Sequence, residues 1–226
     1  MRFKDVFSII GPVMVGPSSS HTAGAVRIGR VARQLLGRVP SEADIALYGS
    51  FAETYRGHGT DVALVAGLLD WSTEDMRIPR SLEFAAEVGM RVNFRRGAGT
   101  VPHPNTALIR LQCGPHRAEV LASSIGGGNI EVHRVNGFAV RCSAAYPALF
   151  VSHRDVPGVI AAVTRLLSAE GVNIVSMSVD RKGRSGEALS VIETDENVHD
   201  ALLAALRALP DVSEIRKIDV TGSRCA

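Results

Sequence analysis

The order of periodic segments in the last third of the chain leaves it few folds to choose from. Ala148–Ser152 (ALFVS) is a short apolar run that reads as a strand. Val159, Ile160, Val163, Leu166 and Leu167 then recur at helical spacing, with Asp155 placed to cap that helix and Pro157 tolerated in its first turn. Gly171 ends it, as a C-terminal glycine does. Val172–Val179 reads as a strand, Arg181–Ser185 as a turn and Ala188–Ile192 as the returning strand. Val198–Leu209 is a second amphipathic helix stopped by Pro210, and Val212–Val220 is a last strand. This β-α-β-β-α-β order predicts a ferredoxin-like antiparallel sheet with both helices on one face.

The preceding residues have a different texture, with glycine, proline and histidine between apolar segments. A helix is expected from about His21 to Leu36, with Ala25, Ile28, Ala32, Leu35 and Leu36 inward. Ala43–Tyr48 and Val88–Phe94 read as strands and Thr60–Leu69 as a helix. Ala107–Gln112 and Glu119–Ile125 read as hairpin partners, and Glu131–Val140 as one further strand. The class is α+β: an N-terminal mixed α/β domain followed by the smaller βαββαβ domain. The expected divisions are 1–142, 147–220 and a tail at 221–226.

Composition removes several function classes. The 226 residues carry 25 basic and 23 acidic side chains, a net charge of +2, which does not advertise a nucleic-acid partner. The local basic groups, Arg91, Arg95, Arg96 and Arg181, Lys182, Arg184, read as solvated faces or turns. Cys113, Cys142 and Cys225 are odd in number and widely spaced, so neither a disulfide framework nor an iron–sulfur site is expected from this chain alone. The N-terminal apolar run is interrupted by Asp5, Pro12 and Pro17, unlike a signal peptide. No run approaches the ~20 apolar residues of a membrane helix, and the cytoplasm is the expected location. Neither a GxGxxG after a strand nor a P-loop lysine is present.

Four segments concentrate chemistry. Gly16-Pro17-Ser18-Ser19-Ser20-His21-Thr22 delivers hydroxyls and a histidine to a helix start, whose unpaired amides favour an anion. One serine suffices for a cap, so three exceed that need. In Gly57-His58-Gly59-Thr60-Asp61, glycines flank a second histidine, and Thr60 or Asp61 is placed to cap the helix that follows. Paired histidines suit acid–base work. Val101-Pro102-His103-Pro104-Asn105-Thr106 holds a third histidine in a stiff loop. Gly126-Gly127-Gly128-Asn129 suits a hairpin turn. Zinc on His21, His58 and His103 is disfavoured, since no local ligand spacing supports it. In the C-terminal part, Asp155, Pro157, Gly158 and Asn173 are candidates for an effector site; simple helix capping explains the first three equally well.

The segments Gly11–Gly29 (GPVMVGPSSSHTAGAVRIG), Gly49–Leu69 (GSFAETYRGHGTDVALVAGLL) and His103–Thr106 (HPNT) resemble the β chain of bacterial iron–sulfur-dependent L-serine dehydratase. The C-terminal half resembles an ACT domain, an amino-acid-binding module. The resemblance implies conversion of L-serine to pyruvate and ammonia, in amino-acid degradation and gluconeogenesis. It implies a [4Fe-4S] cluster held by a separate α chain, with no metal ligand in this chain. It also implies self-association through the ACT domain. His58 would be the base or its close partner and His21 would orient substrate or relay the proton. Ser18, Ser19, Ser20, Thr22 and Thr60 would bind the carboxylate or line the pocket, joined by His103, Asn105 and Thr106. The N-terminal domain also resembles a substrate-binding regulatory domain of some phosphoglycerate dehydrogenases, so its cavity could be allosteric as well as catalytic. The competing reading is a free-standing serine-binding regulator without catalytic residues.

Overall fold

The computed structural model describes residues 14–184 and 186–221. Asp5, Pro12, Ser185 and Cys225, named above, lie outside these residues.

Two sheets share one helix between them. The first has six strands: β1 (Glu42–Leu47), β2 (Arg91–Arg96), β3 (Thr106–Cys113), β4 (His116–Gly126), β5 (Asn129–Val135) and β6 (Phe138–Cys142), in the order β2-β1-β3-β4-β5-β6. Only β1 and β2 run parallel. The expected single strand over 131–140 is two strands. Asn136 and Gly137 both take positive φ, 50° and 84°, and turn the chain between them, the geometry that an Asn-Gly pair favours. The glycine triplet likewise turns β4 into β5, with Gly126, Gly127 and Gly128 all at positive φ. The strand expected from Val88 begins at Arg91, because Ser81–Glu87 forms a short helix that Val88 closes.

Helix α1 (Gly24–Leu36) lies over this sheet beside α3 (Thr60–Leu68); α2 (Gly49–Thr54) and α4 (Ser81–Glu87) are shorter. Eleven residues of α1 are buried, including the polar Arg30 and Gln34. Such all-round burial means that α1 has cover on more than one side.

That cover comes from the second sheet. β7 (Ala148–Arg154), β8 (Ile174–Arg181), β9 (Glu187–Thr194) and β10 (Val212–Ile218) pair antiparallel in the order β10-β7-β9-β8, with helices α5 (Val159–Ala169) and α6 (Asp200–Arg207) between strands. This is the βαββαβ order expected. Leu149, Val151, Ile192 and Ile215 face α5 and α6, packing against Val163, Leu167, Leu202 and Leu206. The alternate residues Ala148, Phe150, Leu189, Val191 and Ile218 face the opposite way and join the core of the first sheet. A sheet apolar on both faces is a buried layer, and here the second layer is α1 with its sheet.

Polar contacts fix the junction. Arg30 donates to the carbonyls of Val220 and Asp219 at 3.3 and 3.5 Å and to Asp70 at 3.4 Å. Gln34 donates to Asp70 and to the Asp219 carbonyl, both at 3.0 Å, and accepts from the Asp219 amide at 2.8 Å. Buried Glu193 accepts from the Ser143 amide and hydroxyl at 3.0 and 2.6 Å and from the Ser176 hydroxyl at 2.6 Å. Burial, reinforced by Glu193, pushes the neighbouring Cys142 thiol up to about 12. Among the described residues no helix is long and apolar enough to cross a membrane.

Candidate functional site

Ser18, in extended backbone, starts the turn that carries the first histidine. Its hydroxyl accepts from the His21 amide at 3.2 Å and its carbonyl from the Thr22 amide at 2.8 Å. One serine therefore does the capping, which leaves Ser19 and Ser20 for other work. Ser19–Ala23 forms a single π-helical turn before α1 begins, a rare local geometry that recurs at functional sites.

The turn drives His21 inward. Its Nδ1 lies 3.1 Å from the Ser20 hydroxyl and 3.5 Å from that of Ser18, and its Nε2 lies 3.2 Å from the Ser50 hydroxyl. Both ring nitrogens are thus engaged within the chain. Phe51 packs edge-on at 5.3 Å between centroids. Ser50 was not legible as a candidate; it lies in α2, and only the tertiary approach of Gly49–Phe51 to His21 reveals it.

His58 lies in the turn between α2 and α3. Gly59, at φ 67°, starts α3 in a left-handed conformation. Gly59 makes the turn and Thr60 supplies no cap, while the Asp61 carboxylate accepts from the first-turn amide of Val62 at 2.9 Å. The exposed His58 ring stands edge-on to His21, 4.8 Å between centroids. Its nitrogens make no hydrogen bond to the described residues. One histidine is locked and buried, and its neighbour is exposed.

Burial, then the nearby charge of His58, holds the His21 pKa below its ordinary 6.5. Burial also lowers that of His133 on β5, with His103 acting the same way and Glu131 opposing. A histidine depressed in the folded state binds fewer protons there than when unfolded. Its cost is absent well above pH 6.5 and grows as pH falls through that value toward the folded pKa. Chemical denaturation between pH 8 and 5 is therefore expected to show a midpoint falling below about pH 6.5, and His21→Gln to flatten that fall. An equal slope in the variant would remove His21 as its source.

Thr22, Thr60 and Ser124 carry buried hydroxyls with no hydrogen-bond partner among the described residues. An unpaired buried hydroxyl costs about 1–3 kcal/mol. Ser124 lies against Gly24, where any side chain would collide with its hydroxyl. These three groups thus flank the His21 turn, α3 and β4.

The HPNT loop meets the same region from the other side. Pro104 packs on Gly49, and the Asn105 carbonyl accepts from the Ser124 amide at 2.9 Å. His103, Asn105 and Thr106 are not joined to His21 or His58 by hydrogen bonds. They form a second cluster with Ser123 and His133, described below.

In the second sheet the four effector candidates do not converge. Asp155 accepts from Arg181 at 3.0 Å rather than capping α5, whose start is Gly158 at φ 95°. Pro157 and Gly158 are exposed beside it. Asn173 lies past the far end of α5, donating to Asp195, where an open groove of about 640 Å³ runs along Thr164, Ser168 and Val172. An 11-residue helix, about 16 Å long at 1.5 Å per residue, separates the two groups.

A buried histidine with an exposed partner, ringed by hydroxyls in a chain that also carries a βαββαβ module, makes a candidate site for a small polar ligand. Comparison with known proteins gives the family. The serine dehydratase beta chain family matches residues 3–94 and the ACT domain family residues 148–211. The chain is 48% identical over 218 residues to the probable L-serine dehydratase, beta chain, of Bacillus subtilis, covering 96% of this chain and 99% of that one. It is 34% identical to the L-serine dehydratase, beta chain, of Peptoniphilus asaccharolyticus, covering 97% and 100%. A D-3-phosphoglycerate dehydrogenase of Synechocystis is 27% identical over 84% of this chain, but over only 34% of its own length. The chain belongs to the L-serine dehydratase beta chain family.

Proposed function

We propose that this chain, paired with an α chain, deaminates L-serine to pyruvate and ammonia, with His58 as the base. The observation that carries the assignment of roles is the asymmetry of the histidine pair. His21 has both nitrogens tied to Ser20 and Ser50, so it orients. His58 beside it is exposed and its ring nitrogens have no hydrogen-bond partner among the described residues, so it can take a proton.

The serine carboxylate suits the turn at Ser18–Thr22, whose hydroxyls and first-turn amides favour an anion. The hydroxyls of Thr22, Thr60 and Ser124, without a partner among the described residues, gain partners from such a ligand. His58 takes the α-proton, the β hydroxyl leaves with a proton as water, and the enamine left behind tautomerises and hydrolyses to pyruvate and ammonia. His21, its pKa lowered by burial, packs edge-on against the His58 ring and steadies it.

No three described His, Cys, Asp or Glu residues converge as a metal-ligand set. Cys113 lies in β3, and the Cys142 thiol is given to Glu193. A [4Fe-4S] cluster on this reading belongs to the α chain, where it supplies a Lewis acid to the departing hydroxyl. Residues 1–142 form the dehydratase part and 147–220 the ACT part. The ACT part self-associates and binds a small effector near Asp155, Pro157, Gly158 or Asn173, and the complex works in the cytoplasm, in amino-acid degradation and gluconeogenesis.

Anaerobic mixing of this chain with a cluster-bearing α chain tests the reading. Pyruvate is expected from L-serine only when both are present. Serine binding by this chain without turnover in any such mixture would replace the enzyme with a regulator.

A further inference from the structure

The second cluster can be read proton by proton. Thr106 and Ser123 sit directly opposite each other on β3 and β4, and both are fully buried. Their hydroxyl oxygens are 2.7 Å apart. Thr106 Oγ1 lies 2.5 Å from the carbonyl oxygen of His103, and His133 Nε2 lies 2.8 Å from Ser123 Oγ. Three short contacts need three protons. The His103 carbonyl can only accept, so Thr106 donates to it. Thr106 has then spent its proton, so Ser123 donates to Thr106. Ser123 has spent its own, so the third proton comes from His133 Nε2–H. Any other assignment leaves two acceptor oxygens, or an oxygen and a bare nitrogen, in contact without a hydrogen.

The chain of donors ends on the backbone of His103, and holding that loop in place also holds the contact that fixes the His103 ring. The Asn105 amide donates to His103 Nδ1 at 3.1 Å. Nδ1 is therefore unprotonated, and the ring proton of neutral His103 sits on Nε2. A histidine in that form offers a hydrogen bond at Nε2 and has no free nitrogen with which to take a proton.

We infer that His103 is a hydrogen-bond donor to substrate, not a base, and that His133 and Ser123 are positioning residues that hold its loop through Thr106. The next two residues of the His103 loop meet the wall of the first site, Pro104 on Gly49 and Asn105 on Ser124; the acceptor class that fits an Nε2–H is an anionic or carbonyl oxygen, and the substrate carboxylate is the one at hand. This role for His103 rests on the deamination reading above. The proton order does not. His133 and Ser123 were not picked out from the sequence, although the β3–β4 register would have paired Thr106 with Ser123.

Two measurements separate the two claims. Long-range ¹H–¹⁵N imidazole spectra of the full chain are expected to show His103 as the Nε2–H form. His133→Phe and Ser123→Ala are expected to turn it into a mixture of forms, and His133→Gln, which keeps an N–H near the same place, to restore it. In the complex with the α chain, His133→Phe and Ser123→Ala are expected to raise KM for L-serine about tenfold, the scale of one lost hydrogen bond of about 1.4 kcal/mol. kcat should stay within about threefold on the same scale, and His133→Gln should return KM to near wild type. His133 is only half-buried, so its variants test the idea even if Ser123→Ala fails to fold. A wild-type His103 protonated on Nδ1, or variants that lower kcat and leave KM alone, would overturn the inference. A complex inactive toward L-serine would remove the substrate role of His103, and the spectra would still decide the proton order.

Discussion

Replacing His58 by Gln in the assembled complex is expected to lower kcat by about 10²–10⁴, the usual worth of a positioned general base. KM should change little, because the lost contact is made to a proton that moves only in the transition state. The melting temperature should also hold, since the ring is exposed and its nitrogens bond to nothing described. His21→Gln should behave differently. That ring is buried and bonded at both nitrogens, so stability falls along with kcat. The contrast is the test. If His21→Gln abolishes turnover in a folded protein and His58→Gln leaves it within tenfold, the roles are exchanged.

Much of this site was legible in the sequence because it is local. Ser18 to Thr22 and His58 to Thr60 are short segments whose residue types exceed what capping needs. What could not be read is what tertiary approach creates. Ser50 carries no signal of its own and matters only because Gly49–Phe51 is carried up to His21. His103 and Thr106 carry no sequence signal of the hydrogen bonds that join them to Ser123 and His133. The fold divides in the same way. The βαββαβ order follows from helical and strand periods, which are properties of single elements. The burial of that sheet on both faces was missed, although β9 is buried from Ala188 to Thr194. A continuous buried run says that a second layer exists without saying which. The break at Asn136-Gly137 was written in the chain, but the apolar alternation on either side read straight through it.

The sharpest stability effect should come from Gly67→Ala, at the crossing of α1 and α3. A Cβ at Gly67 would collide with the Val26 carbonyl oxygen and come within 2.8 Å of Gly29 Cα; a Cβ at Gly29 would meet the Leu64 carbonyl oxygen and come within 2.9 Å of Gly67 Cα. Helix propensity alone favours alanine over glycine by about 1 kcal/mol. Against that stands the separation of two backbones, where no side chain can turn aside, and overpacking costs about 1–3 kcal/mol even where side chains can give. A net loss of about 2 kcal/mol is expected, seen as a fall of about 4–8 °C in Tm for a chain of this size. The consequence should reach the site. α1 begins three residues after His21 and α3 two after His58, while Arg30, Gln34 and Asp70 tie the other end of the pair to the second sheet at Asp219. Pushing the helices apart at their crossing must move one histidine against the other or break that tie. A Gly67→Ala protein as stable as wild type would mean that the helices do not touch there, and the shared scaffold for the two histidines would fall with it.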